Sequence, residues 1–410
     1  MMPKKITCLS TLLLLMILTT LSSCREDRVE ELQKEVLFEL GFGKMEDQIN
    51  FFIESDQDRL KKNRIVMKDG FFYISNALSG KVMEFNSYGD IINLFYNTDR
   101  NPDPVLLAPR ASTGEAATRN LYPYPFQDVG EIALGRNKTL FVDDRISVNR
   151  RERDEDMGVT LERIILQFDR DGRFIDYLGQ EGNGGTPFPY IDKIRVTERD
   201  ELVVFTRNTR GWRVFWFSAE KKPLYVVDIL NDQLPVPESL GAPDLLAILE
   251  NLECDLMERR LYLKIDYYAE SIARESQTGS GFGGSFIWWL NMTDETYSGR
   301  VRIPAHTKDS GKPQMFEEDT TELIYEFIGL ARGEHLFLAS LEGRNSYQLL
   351  ILRPDGLVVK SGHINLGEER LESRQFFVTP QGILTGFLGW TDRVEIAWWR
   401  TDRFIQGEEP

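Results

Sequence analysis

Histidine and cysteine are almost missing: three of each occur in 410 residues. His306, His335 and His363 stand far apart, with no second His or Cys at ligand spacing. A zinc site needs three or four such ligands to converge, so no metal is assigned. Cys8 and Cys24 fall within or beside an N-terminal leader, which leaves Cys254 alone and no intrachain disulfide to form. Cys254 lies among Leu252, Leu256 and Met257 and reads as a buried structural thiol. Basic charge is also in deficit, 49 Lys+Arg against 65 Asp+Glu, for a net charge of −16. Such a surface repels phosphate backbones, which removes nucleic acid as a partner. The phosphate-binding Walker loop, the G-x-S-x-G elbow and H-E-x-x-H are absent. Gly182-Asn183-Gly184-Gly185 is glycine-rich but opens no helix, so it reads as a connector rather than a phosphate site. No cofactor and no catalytic residue are assigned, and the chain reads as a protein that is not an enzyme.

What the sequence does hold is short strands separated by turn residues. The run from Arg163 to Arg207 reads strand, Asp-Gly turn, strand, Gly/Pro loop, and then a second hairpin turning near Arg199-Asp200. The segment QFDRDGRFIDYL within it aligns with EFNSYGDIINLF about a hundred residues earlier, and Pro354-Asp355-Gly356 repeats the turn. Six sheet units follow: Arg64 to Tyr96, Gly130 to Leu178, Ile191 to Ile229, Leu246 to Ile303, Glu322 to Leu366, and Phe376 to Phe404. The expected fold is all-β, a six-bladed β-propeller over residues 64–404, with seven blades or two stacked β-sandwiches as alternatives. Each small sheet buries its faces only against its neighbours, so the ring must close. A closing strand is expected from before Arg64 or after Val394. Trp288-Trp289 and Trp398-Trp399 are adjacent on strands and should point to opposite faces, one of each pair packing between blades.

The first 23 residues have the form of a secretory signal. Lys4 and Lys5 precede the apolar run Thr11 to Leu21, which is too short to span a bilayer comfortably. It ends Leu21-Ser22-Ser23-Cys24, which resembles the bacterial lipobox. That resemblance implies cleavage between Ser23 and Cys24 and acylation of Cys24, hence a membrane-anchored lipoprotein of the bacterial cell envelope. Residues 24–63 then form a tether and a possible ring-closing segment. Val29, Leu32, Val36 and Leu40 fall roughly on one helical face, so a short helix is expected there.

Residues 97–126 break the pattern with five prolines and a patch of small residues, and read as an exposed insertion. Its stiff aromatic end supplies Tyr122, Tyr124 and Phe126 as candidate partner-binding residues. Asp143, Asp144, Asp169, Asp171 and Asp176 would bind calcium only if the fold brought them together.

The stretches KDGFFYISNALSGKVMEFNSYGDII and ILQFDRDGRFIDYLGQEGNGGTPFPYI look like NHL repeats. With the lipobox and GKMEDQINFF, the chain is similar to a group of spirochaete NHL-repeat-like lipoproteins. That resemblance implies an envelope location and brings no defined activity. The leading expectation is a lipid-anchored propeller that binds an envelope protein or a ligand without catalysis. The alternatives are a calcium-assisted hydrolase, lactonase-like or lyase propeller, and a small-molecule sensor.

Overall fold

The computed structural model describes residues 30–51, 63–107, 119–155, 157–241, 244–269, 281–308 and 321–406. Among them the strands form six radial sheets, and the chain is a six-bladed β-propeller. From the axis outward, blade 1 runs Asn63–Lys68, Phe71–Asn76, Lys81–Phe85 and Ile91–Tyr96. Blade 2 runs Ile132–Leu134, Leu140–Arg145, Arg163–Phe168 and Phe174–Gly179. Blade 3 runs Ile191–Val196, Leu202–Asn208, Gly211–Phe217 and Pro223–Leu230. Blade 4 runs Leu246–Cys254, Arg260–Tyr268, Phe282–Asn291 and Tyr297–Arg302. Blade 5 runs Glu326–Ala331, His335–Gly343, Ser346–Leu352 and Val358–Asn365. Blade 6 takes Ser373–Val378, Leu384–Gly389 and Arg393–Trp399 from the C-terminal end of the sequence, and its outermost strand, Glu35–Gly41, from the N-terminal end.

That last pairing closes the ring, with Glu35 opposite Trp398 and Gly41 opposite Arg393. It corrects the expected helix over Val29 to Leu40: the described part of that segment holds two strands, Glu30–Glu31 and Glu35–Gly41, and no helix. The signal peptide, the Ser23-Cys24 cleavage point and the lipidation site Cys24 lie outside the described residues. Among the described residues no helix is long and apolar enough to cross a membrane.

The hydrophobic core is divided into six clusters, one per seam between neighbouring blades. Strand alternation does the dividing. On Gly211–Phe217, Trp212, Val214 and Trp216 fill the seam toward blade 4, while Phe215 and Phe217 fill the seam toward blade 2. Trp288 and Trp289 split between two seams in the same way, as do Trp398 and Trp399.

The aligned turns occupy one structural position, between the third and fourth strands of blades 1 and 2. Their hydrogen bonds match as well. Asn86 Oδ1 accepts from the N–H groups of Tyr88 and Asp90, and Asp169 Oδ1 accepts from those of Asp171 and Arg173, all at 2.9 Å. Gly89 and Gly172 supply the positive φ, 82° and 75°, that each turn needs.

Antiparallel order fixes two unlike faces. Connections from first to second and from third to fourth strand lie on one side, and none exceeds five residues. This is the turn face. The opposite loop face carries the long connectors, including residues 146–162, 231–245 and 303–325. Two of these hold small hairpins, Glu152–Asp154 with Val159–Leu161 and His306–Lys308 with Thr321–Leu323.

Candidate functional site

The innermost strands begin at the loop face and end at the turn face, so each brings side chains to both ends of the axis. At the loop-face mouth, a cavity of about 320 Å³, the lining is charged. Arg64 of blade 1 donates to Glu131 of blade 2. Lys193 and Arg195 of blade 3 both donate to Glu253 of blade 4, at 2.6 and 3.0 Å. Arg374 of blade 6 donates to Glu326 of blade 5 at 2.9 Å. Alternate seams are therefore tied by ion pairs. Two of the seams between them are tied by amides: Asn251 Nδ2 donates to the Phe327 carbonyl at 2.7 Å, and the Ile65 N–H donates to Gln375 Oε1 at 3.0 Å.

Burial alone would raise the Glu253 carboxyl, but Arg195 and Lys193 outweigh it and hold the group below the ordinary carboxylate range. Glu250, also at this mouth, goes the other way: burial raises it despite Lys264 at 3.8 Å.

The turn-face mouth opens into a cavity of about 330 Å³ of a different kind. Val66, Ile132, Ile194, Cys254, Leu330 and Phe377, one from each blade, form an apolar wall. Burial pushes the Cys254 thiol up, which keeps it protonated and unreactive. Its charges lie at the rim and, as the Arg195–Glu253 pair, at the floor. Arg332 of blade 5 makes a forked pair with Glu198 of blade 3, at 3.0 and 2.9 Å. Lys68 Nζ donates to the carbonyls of Gly135 and Leu134, at 2.6 and 3.3 Å. Arg195, Glu253 and Ile328 line both cavities and so form the partition between them.

The candidate partner residues lie elsewhere. Asn120–Pro123 adds a parallel fifth strand to blade 1. Tyr122 packs on Phe95, and Tyr124 packs on Phe126, Phe168 and Phe174. Phe126 is fully buried, and Tyr122 and Tyr124 are half-buried, so the aromatic group fills the seam between blades 1 and 2. The acidic candidates are not brought together. Asp143 pairs with Arg163 at 2.7 and 2.8 Å, Asp144 accepts from the N–H groups of Gln127 and Asp128, and Asp169 holds its own turn. Sequence spacing gave no reason to join the histidines, yet His306 and His363 both contact Glu342, each at 2.7 Å.

The axial groups went unnoticed in the sequence, although a signal was present. Each innermost strand carries or directly follows a charged residue that alternates with apolar ones: Arg64, Glu131, Lys193, Glu253, Glu326 and Arg374.

No protein-family model and no curated protein matches the chain. Solved structures do. An ulvan lyase of a polysaccharide lyase family is 12% identical, with 90% of this chain and 83% of that one covered and a TM-score of 0.40. A gluconolactonase from Xanthomonas campestris is 12% identical over 80% and 82% of the two chains, with a TM-score of 0.38. A streptogramin B lyase is 10% identical over 82% and 92%, with a TM-score of 0.36. The likeness concerns the propeller fold. It corrects the expectation that the chain is not an enzyme, because these propellers of similar fold are enzymes.

Proposed function

We propose that the protein is a lipid-anchored envelope propeller that takes a small molecule into its turn-face axial cavity. One observation carries this reading: all six blades contribute an apolar residue to one cavity of about 330 Å³, whose charged groups lie at its rim and, as the Arg195–Glu253 pair, at its floor. Small-molecule sites have this make-up, and this volume lies at the small end of their range, roughly 300–1,000 Å³. The loop-face mouth is as large, but its charges are largely engaged with each other. The envelope location rests on the lipobox Leu21-Ser22-Ser23-Cys24 and on the likeness to NHL-repeat-like lipoproteins.

The cavity is tested with the neutral fluorescent dye N-phenylnaphthylamine. The wild-type protein should bind it with enhanced emission. Val196→Trp, which fills the cavity from a half-buried wall position, should abolish the signal while the circular dichroism spectrum is kept. Equal dye binding by both proteins removes the reading. The anchor is tested separately: labelled palmitate should enter the wild-type chain and be lost in Cys24→Ser.

A further inference from the structure

Resting on that reading, we infer that the molecule taken up is an amphipathic anion, an aliphatic body with a carboxylate head, bound head-outward between blades 1 and 2. The body follows from the wall. At roughly 30 Å³ for each water-sized group, the cavity of about 330 Å³ holds a chain of about ten carbons.

The head follows from the rim, where cations and acids are engaged differently. Glu198 is taken up by the forked pair with Arg332. Asp200 accepts the backbone N–H of Arg136 at 2.6 Å, and Asp69 lies exposed on its turn. The cations at the seam of blades 1 and 2 have donors left over. Lys68 is half-buried, and among the described residues its ammonium meets only the neutral carbonyls of Leu134 and Gly135, which use two of its three N–H groups. Arg136 follows Gly135 directly, lines the same cavity and is exposed. Among the described residues no carboxylate lies within ion-pair distance of either side chain, in a chain whose net charge is −16. A carboxylate at this seam would receive the third Lys68 N–H and the planar fork of Arg136, which suits two oxygens.

The test displaces the dye with decanoate and with decan-1-ol, which share a body and differ in the head. Decanoate should bind the wild-type protein at least tenfold more tightly. Arg136→Glu should close that gap and leave decan-1-ol unchanged; among the described residues the native guanidinium, which is exposed, makes no hydrogen bond or ion pair, so the variant should fold. High salt should narrow the gap as well, because the head sits at an exposed rim. Equal affinity for acid and alcohol in the wild-type protein overturns the head-group inference and leaves the cavity reading standing. Failure of both ligands to displace the dye, with Val196→Trp also without effect, overturns the two together.

Discussion

Two openings reach the axis from opposite faces, nearly equal in size at about 320 and 330 Å³. The loop-face opening is rich in charge, and its ion pairs bridge consecutive blades. The turn-face opening has an apolar wall, with charges at the rim and the mutually paired Arg195 and Glu253 at its floor. A dense set of polar side chains is therefore no measure of binding capacity. Where cations and acids satisfy each other they hold the ring together, and a ligand would have to displace an existing partner. Where the wall is apolar and the rim retains spare donors, a ligand displaces only water.

Stability measurements should separate the two ends most sharply. Glu253→Gln leaves Lys193 and Arg195 facing a neutral amide in a buried site. Removing one partner of a buried pair costs about 3–5 kcal/mol, and urea unfolding should show a loss of that size. Arg332→Ala breaks the exposed pair at the other face, where such pairs contribute up to about 1 kcal/mol. Its unfolding midpoint should move little. Similar losses for the two variants would end the distinction between a structural end and a binding end.

The same contrast explains what could be read from the sequence. Blade boundaries were legible because strand alternation and the repeated turns are local. QFDRDGRF and EFNSYGDI fold into matching turns because each needs only its own Asp or Asn side chain and one glycine. The closing strand was hidden by a bulge between Val36 and Phe38. The bulge breaks the period of two within the strand, while Leu32, which precedes the strand, completes the helical spacing with Val36 and Leu40 by accident. In the fold Val36 is exposed, while Leu32 and Leu40 serve different seams. The axial groups were hidden for another reason. Arg64 and Glu131, or Lys193 and Glu253, are some sixty residues apart, and only the stacking of one blade on the next brings them into contact.

A smaller effect sharpens the contrast within the loop-face side itself, where two buried acids respond to pH in opposite senses. Burial pushes Asp144 up to about 6, against the N–H groups of Asp128 and Gln127 that favour its charged form. Its folded pKa lies above the unfolded value of about 3.9. The fold therefore prefers the protonated acid, and that contribution, full below about pH 4, is lost as pH rises through 6. Glu253 is held low, so its contribution is present above the unfolded pKa of about 4.3 and is lost as pH falls below that value. Asp144→Asn keeps an oxygen acceptor for the two N–H groups and removes the titration. Relative to this variant, the wild-type protein should gain on the order of 1–3 kcal/mol between pH 7 and pH 4.5, read as the difference in urea midpoints. A difference that stays flat across that range would mean that the N–H partners of the Asp144 carboxylate, with the charge of Arg163 nearby, solvate it as well as water does.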